Sequence, residues 1–250
     1  MHVNTLKRRL AEGHTTTIIA PFATSAGLVE LLGHYGFDGV FLDCEHGPAG
    51  WEDVEHMARA AALAGYSSVV RVPENTASTI TRALDRGADG IQVPHVNTAA
   101  DAQAVVRHAK FAPIGERGWS GWRGSLGIEP AQFAEHANAQ TLVAVMLEET
   151  AALDNLDEIL RVDHIDVFFV APGDLAQSMG LPGQTSHPEV VSAVDDALAR
   201  IRSAGRVAGT LTTPAMLDRH LELGVQFLYV NLAAILAPAA QTFTARARRT

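Results

Sequence analysis

Gly39-Val40-Phe41-Leu42-Asp43-Cys44-Glu45-His46-Gly47-Pro48 is a short apolar run that ends abruptly in ionisable residues and a turn. A helical stretch follows from Trp51 to Ala64 and stops at Gly65. A second apolar run, Ser68-Val69-Val70-Arg71-Val72, then ends at Pro73. Both runs are too continuous in Val, Leu and Phe for a sheet with one wet face. They read as strands buried on both sides and joined by a crossover helix, the parallel βαβ unit.

The unit recurs outward in both directions. Apolar runs at Thr15–Ala20, Gly39–Leu42, Ser68–Val72, Gly90–Val93, Thr141–Leu147, Ile165–Val170, Arg206–Leu211 and Gln226–Val230 predict eight strands. Helical stretches at Ser25–Tyr35, Trp51–Ala64, Thr76–Arg86, Thr98–Lys110, Ala151–Val162, Pro188–Ala204 and Pro214–Leu223, and one after Val230, fill the intervals. Gly36, Gly65, Gly87, Gly205 and Gly224 stand where helices stop, as a left-handed terminator would. A long connection, Phe111–Gln140, precedes the fifth strand and is rich in Gly, Trp and Arg in its first half. Eight strand–helix pairs in 250 residues predict an α/β fold, a (β/α)8 TIM barrel forming a single domain over residues 1–250. The alternative is an open doubly wound sheet. That fold often carries a glycine-rich first turn, and no G-x-G-x-x-G follows the first strand here.

Composition narrows the function. Nineteen basic residues against 28 acidic ones give a net charge of −9, which disfavours a grip on nucleic-acid phosphates. Cys44 is the single cysteine, so an intramolecular disulfide and a Cys-based zinc site are excluded, and it reads as a small buried hydrophobe. After Met1-His2-Val3-Asn4 and Lys7-Arg8-Arg9 comes no apolar signal-peptide core, and no apolar run approaches ~20 residues. A cytoplasmic protein without a membrane partner is expected, with Arg246-Ala247-Arg248-Arg249 a solvated helix end. The only lysines, Lys7 and Lys110, lie away from predicted strand C-termini, which disfavours imine chemistry. No G-x-S-x-G nucleophile elbow occurs.

In a barrel of this kind chemistry sits at the C-terminal ends of the strands. Those ends carry Asp43-Cys44-Glu45-His46, Arg71, Gln92 with Pro94-His95, Glu148-Glu149 and Gly173-Asp174. Glu148 and Asp174 come from adjacent strands, and two carboxylates in one mouth repel unless a cation or proton intervenes. Each alone has a structural reading, Glu148 as a salt-bridged strand end and Asp174 as a helix N-cap before Leu175. Together they suit a hard divalent ion such as Mg2+ or Mn2+. Arg71 either meets a substrate carboxylate or closes an internal pair with Asp43 or Glu45. His46, on the sharp turn before Gly47-Pro48, is a candidate general base or a simple loop histidine. Asp85 at a helix end reads as a solvated acid.

These residues resemble a known family. Asp43-Cys-Glu-His-Gly-Pro48, Arg71-Val-Pro73, Leu84-Asp85-x-Gly87-Ala88, Gly115-Glu-Arg117-Gly118, Glu148 followed by Ala152-Leu-Asp-Asn-Leu-Asp-Glu-Ile159, and Ala171-Pro-Gly-Asp-Leu175 resemble the HpcH/HpaI aldolases, in order along nearly the whole chain. These are metal-dependent class II pyruvate aldolases, including 4-hydroxy-2-oxoheptanedioate and 2-keto-3-deoxy sugar-acid aldolases. The resemblance implies a barrel assembled as a hexamer with sites near subunit interfaces. It implies Glu148 and Asp174 as ligands of Mg2+, Mn2+ or Co2+, Arg71 as the group stabilising the enolate, and His46 as the base. It implies Asp85 as the acid that raises the basicity of a neighbouring subunit's histidine, and Gly173 as the amide that meets the pyruvate carboxylate. Its reactants are a small 2-oxo acid and an aldehyde. Met146 stands where many members carry a substrate-contacting Gln. The loop Trp119-Ser-Gly-Trp122-Arg123 is distinctive, and Arg117 or Arg123 is expected to meet an anionic acceptor. The competing readings are an acyl-CoA lyase like the citrate lyase β-subunit and a non-catalytic metabolite-binding barrel.

Overall fold

The computed structural model describes residues 3–120 and 123–248. The helix α1 (Thr5–Ala11) precedes β1 (Thr16–Ala20), and α2 (Ala26–Gly33), β2 (Gly39–Asp43), α3 (Trp51–Leu63), β3 (Ser67–Arg71), α4 (Ala77–Asp85), β4 (Gly90–Val93) and α5 (Ala99–Ala109) follow. A 3-10 turn at Arg123–Ser125 leads to α6 (Pro130–Gln140), β5 (Leu142–Leu147), α7 (Thr150–Asp154), α8 (Leu156–Ile159), β6 (Val167–Val170) and α9 (Pro172–Ser178). Then come α10 (Pro188–Ser203), β7 (Ala208–Thr212), α11 (Leu217–Glu222), β8 (Phe227–Asn231) and α12 (Leu232–Ala247). All eight strands pair in parallel, each with its sequence neighbours, and β8 returns to β1, closing the barrel.

Strand residues alternate between two cores because successive side chains point to opposite faces. Phe41, Val69, Ala144, Met146, Phe169, Phe227 and Tyr229 fill the barrel interior. Val40, Leu42, Val70, Val143, Val145 and Val170 face the helices. The glycines at positions 36, 65, 87, 205 and 224 all adopt positive φ after their helices.

Three elements escape a reading from periodicity. The charged run Lys7-Arg8-Arg9 belongs to α1, whose Leu6 and Leu10 enter the barrel interior from its foot. Asn4 caps that helix and also bonds the carbonyls of Asp89 and Gln140. Both α6 and α9 start with proline in the first turn, a recognisable N-terminal signal. The predicted helix Ala151–Val162 breaks at Asn155 into α7 and α8. Cys44 is half-buried against the outer core, and burial pushes its thiol up to about 11. Of the features read from sequence, Met1, His2, Gly121, Trp122 and Arg249 lie outside the described residues.

Both lysines lie at the foot of the barrel, away from the strand C-termini. Lys110 Nζ donates to the carbonyls of Asn138 and Thr141, each at 2.8 Å, and Lys7 Nζ donates to the same Thr141 carbonyl at 2.9 Å. Burial, helped by the charge of Lys7, pushes Lys110 down to about 7. Between that value and the ordinary lysine value of about 10.4, the unfolded chain binds a proton that the folded chain does not. Stability relative to Lys110→Met therefore rises with pH across this window and is constant below it. Urea unfolding of both proteins at about pH 6, about pH 8 and about pH 9.5 checks this; a difference independent of pH contradicts a neutral Lys110.

Candidate active site

Strand register assembles the mouth. Asp43 pairs with Arg71 across β2 and β3, and Arg71 with Gln92 across β3 and β4. In neighbouring parallel strands, paired residues face the same side, so these three polar side chains converge at the top of an otherwise apolar interior. Arg71 Nε donates to Asp43 Oδ1 at 2.9 Å and its Nη2 to Oδ2 at 2.6 Å, a forked pair. Arg71 Nη1 lies 3.1 Å from Glu45 Oε2. Burial alone would raise the Asp43 carboxyl, but the Arg71 hydrogen bond and charge outweigh it and hold Asp43 below its usual range. Burial lowers Arg71, and Asp43 and Glu45 reverse this, leaving the guanidinium more basic than usual. Both internal partners foreseen for Arg71 are therefore engaged, and Arg71 still lines the cavity.

The same Asp43 shapes the turn after β2. Its Oδ1 accepts the backbone N–H groups of Glu45 at 3.1 Å and His46 at 3.2 Å. A Cβ at Gly47 would collide with the Asp43 carbonyl oxygen, so only glycine lets the chain fold back here. The result exposes His46 at the edge of a cavity of about 200 Å3. Arg71, Gln92, Met146, Gly173 and Asp174 also line it, with Phe22, Phe41, Phe169, Tyr229 and Asn231 among the remaining walls.

Glu148 follows β5 and is 2 % exposed. Burial pushes its carboxyl up to about 7, the charges of Asp174 and Glu45 push the same way, and His95 opposes. Asp174 is exposed in the first turn of α9, whose N-cap position is Ala171, so the alternative reading of Asp174 as a helix cap does not hold. Among the described residues no three His, Cys, Asp or Glu side chains form a ready metal cage. The Glu148–Asp174 pair nonetheless fits a hard divalent ion, which is held by one or two carboxylates with water and substrate completing its shell. A cation there offsets both the burial and the repulsion that raise Glu148. Gln92 Oε1, buried without a hydrogen-bond partner among the described residues, is a further open acceptor in the same cavity.

Three expected site residues sit elsewhere. Asp85 is half-buried and accepts a 2.6 Å bond from Arg117 Nη2; it makes no contact with His46 within the chain. Arg117 is buried, stacked over the Phe111 ring at 4.7 Å and paired through Nη2 with Asp85, and it does not line the cavity. Arg123 donates to the Glu55 carbonyl at 3.3 Å and is likewise absent from the lining. Within the single chain neither arginine reaches this cavity. Two residues noted from sequence at a strand end, but given no role there, belong to the mouth. Gln92 carried the same signal as Arg71, a lone polar residue inside an apolar strand. His95 is held among Glu45, Glu148 and Glu149.

The profile of the family described as HpcH/HpaI aldolase/citrate lyase matches residues 22–228. The chain is 37 % identical to a 4-hydroxy-2-oxovalerate aldolase of Rhodococcus jostii, over 92 % of this chain and 90 % of that protein. It is 35 % identical to a 2-keto-3-deoxy-L-rhamnonate aldolase of Klebsiella pneumoniae, over 93 % and 88 %. A solved HpcH/HpaI aldolase/citrate lyase family protein of Burkholderia cenocepacia superposes with a TM-score of 0.92 at 31 % identity, covering 98 % of this chain and all of the other.

Removing one partner of the forked pair strands a buried charge. Asp43→Ala is expected to cost about 3 to 5 kcal/mol in urea unfolding, and combining it with Arg71→Met to recover most of that loss. A cost below about 1 kcal/mol, the size of an exposed pair, would show that the fork does not anchor the mouth.

Proposed function

The chain belongs to the HpcH/HpaI aldolase/citrate lyase family, and from that premise we propose that it is a class II aldolase, a carbon–carbon lyase. It reversibly cleaves a 4-hydroxy-2-oxo acid between C3 and C4 to pyruvate, or a close 2-oxo acid, and an aldehyde. The observation that carries this reading is the joint presence of Arg71, His46, Gly173 and Asp174 on one cavity of about 200 Å3 beside the buried Glu148. The enzyme works with a divalent metal, which Glu148 and Asp174 would hold; Mg2+, Mn2+ and Co2+ all suit an oxygen donor set. When bound, the ion supplies Lewis-acid polarisation of the 2-oxo group.

The chain's own residues do the rest. The Gly173 backbone, open to the cavity at the start of α9, is placed to meet the substrate carboxylate. His46 takes the proton of the C4 hydroxyl. The C3–C4 electron pair then moves toward the 2-oxo oxygen as the aldehyde C=O forms. Arg71 stands where that negative charge develops, and Asp43 holds its fork in place beforehand, so little reorganisation is needed. Met146 and Phe169 give the donor side an apolar wall. Asp85 acts on His46 across a subunit boundary, with Arg117 fixing its carboxylate.

Among the described residues Arg71 is the only Lys or Arg lining the cavity, and it is already paired twice. This supports an uncharged aldehyde, and argues against docking the phosphates of an acyl-CoA there. A non-catalytic binding barrel would not require His46 at this edge. Homo-oligomeric assembly is supported by α12, which buries none of its residues within the chain and leaves Leu236 57 % and Phe243 75 % exposed; the hexamer is what the family resemblance implies. Residues 1–250 are proposed as one catalytic domain. Cytoplasmic residence is supported by the sparse cysteine content.

Pyruvate in D2O, followed by NMR, tests enolisation without a choice of aldehyde. Metal-stripped protein should leave the methyl protons in place, and added Mg2+ or Mn2+ should let them exchange. No exchange with any divalent metal would overturn the aldolase reading. Arg71→Ala is expected to slow exchange and cleavage by about 100-fold or more, the scale of a lost oxyanion donor; unchanged rates would remove Arg71 from the chemistry.

A further inference from the structure

His95 follows Pro94 at the end of β4 with φ 56°, a left-handed conformation that costs a residue with a Cβ about 1 to 3 kcal/mol. The strained backbone aims its N–H at Glu148 Oε1, 2.6 Å away. The imidazole returns to the same place: Nδ1 lies 3.3 Å from that oxygen and 2.9 Å from Glu149 Oε1. On its other edge, Nε2 lies 3.5 Å from Glu45 Oε1, and Glu45 Oε2 reaches Arg71. A surface histidine that merely gathers nearby carboxylates would not need a left-handed backbone, nor meet one oxygen twice.

We propose that His95 is a positioning residue for metal binding: it holds Glu148 by Oε1, fixing the orientation in which this carboxylate would meet the cation, and ties it to the Glu45–Arg71 arm. The inference rests on the reading that Glu148 is a metal ligand. No other hydrogen bond to Glu148 is formed among the described residues. Replacing the side chain leaves the backbone N–H bond but takes away the imidazole contact to Oε1 and its links to Glu149 and Glu45. Groups of this kind behind a ligand typically contribute 10- to 100-fold in metal affinity.

The test is the affinity of metal-stripped protein for Mn2+ alone, read from the EPR signal of the free ion, for wild type, His95→Ala, His95→Asn and Glu148→Ala. Asparagine tolerates positive φ and carries an amide donor near the position of Nδ1. His95→Ala is expected to weaken Mn2+ binding about 10-fold or more, and His95→Asn to stay within about threefold of wild type. Metal-free thermal unfolding of each variant separates misfolding from lost affinity. If Glu148→Ala abolishes binding while His95→Ala leaves it within about twofold, the role of His95 fails and the metal site stands. Equal losses in His95→Ala and His95→Asn also overturn it, because a side-chain donor at the place of Nδ1 would then not be what matters. If Glu148→Ala binds Mn2+ as wild type does, the underlying assignment of Glu148 fails first.

Discussion

A guanidinium inside an apolar barrel is tolerable only when a carboxylate meets it in the right plane and the remaining donors are also engaged. Arg71 meets both conditions because β2 and β3 set Asp43 beside it in register and the loop after β2 returns Glu45 to its free edge. Much of the mouth follows from this pair. Asp43 also gathers the backbone of Glu45 and His46, so the turn that presents the histidine and the fork that fixes the arginine share one carboxylate. Disturbing Asp43 disturbs charge and loop geometry together.

The mouth carries more negative charge than its neighbours can neutralise. Asp43 and Glu45 share the single positive charge of Arg71, and among the described residues Glu148 and Glu149 meet His95 while Asp174 adds its own charge beside Glu148. The raised Glu148 carboxyl and the elevated His95 imidazole are two sides of that imbalance; burial opposes the imidazole's rise, but the surrounding carboxylates prevail. A divalent cation redresses it directly, which is why a pair of carboxylates without a complete cage is a coherent arrangement here.

The strands were legible because both-face burial writes them as continuous apolar runs, and lone polar residues such as Arg71 then mark the inward positions near the mouth. Helices behind proline or beside charged residues were less visible: α1 looks like a polar leader until its Leu6 and Leu10 are seen inside the barrel. Motif resemblance singled out Glu148, Asp174, His46 and Arg71. It could not reveal what Arg117 does, since a guanidinium buried against Phe111 and one reaching for substrate are the same letter in a sequence. Nor could it reveal His95, whose importance lies in a backbone angle.

The closure of the sheet has a consequence for how the chain is made. Thr16 through Ala20 pair with Phe227 through Asn231, so the first strand waits for the last. On a ribosome, β1 exposes one unpaired edge until β8 has emerged, the condition under which strands recruit wrong partners. It is also the arrangement with the longest loop to close, which slows folding. Leu6 and Leu10 wait as well, because the interior they fill exists only once the barrel surrounds them. The ring that gives the mouth its fixed geometry thus makes nascent chains of this protein depend on late synthesis for their first strand to find shelter.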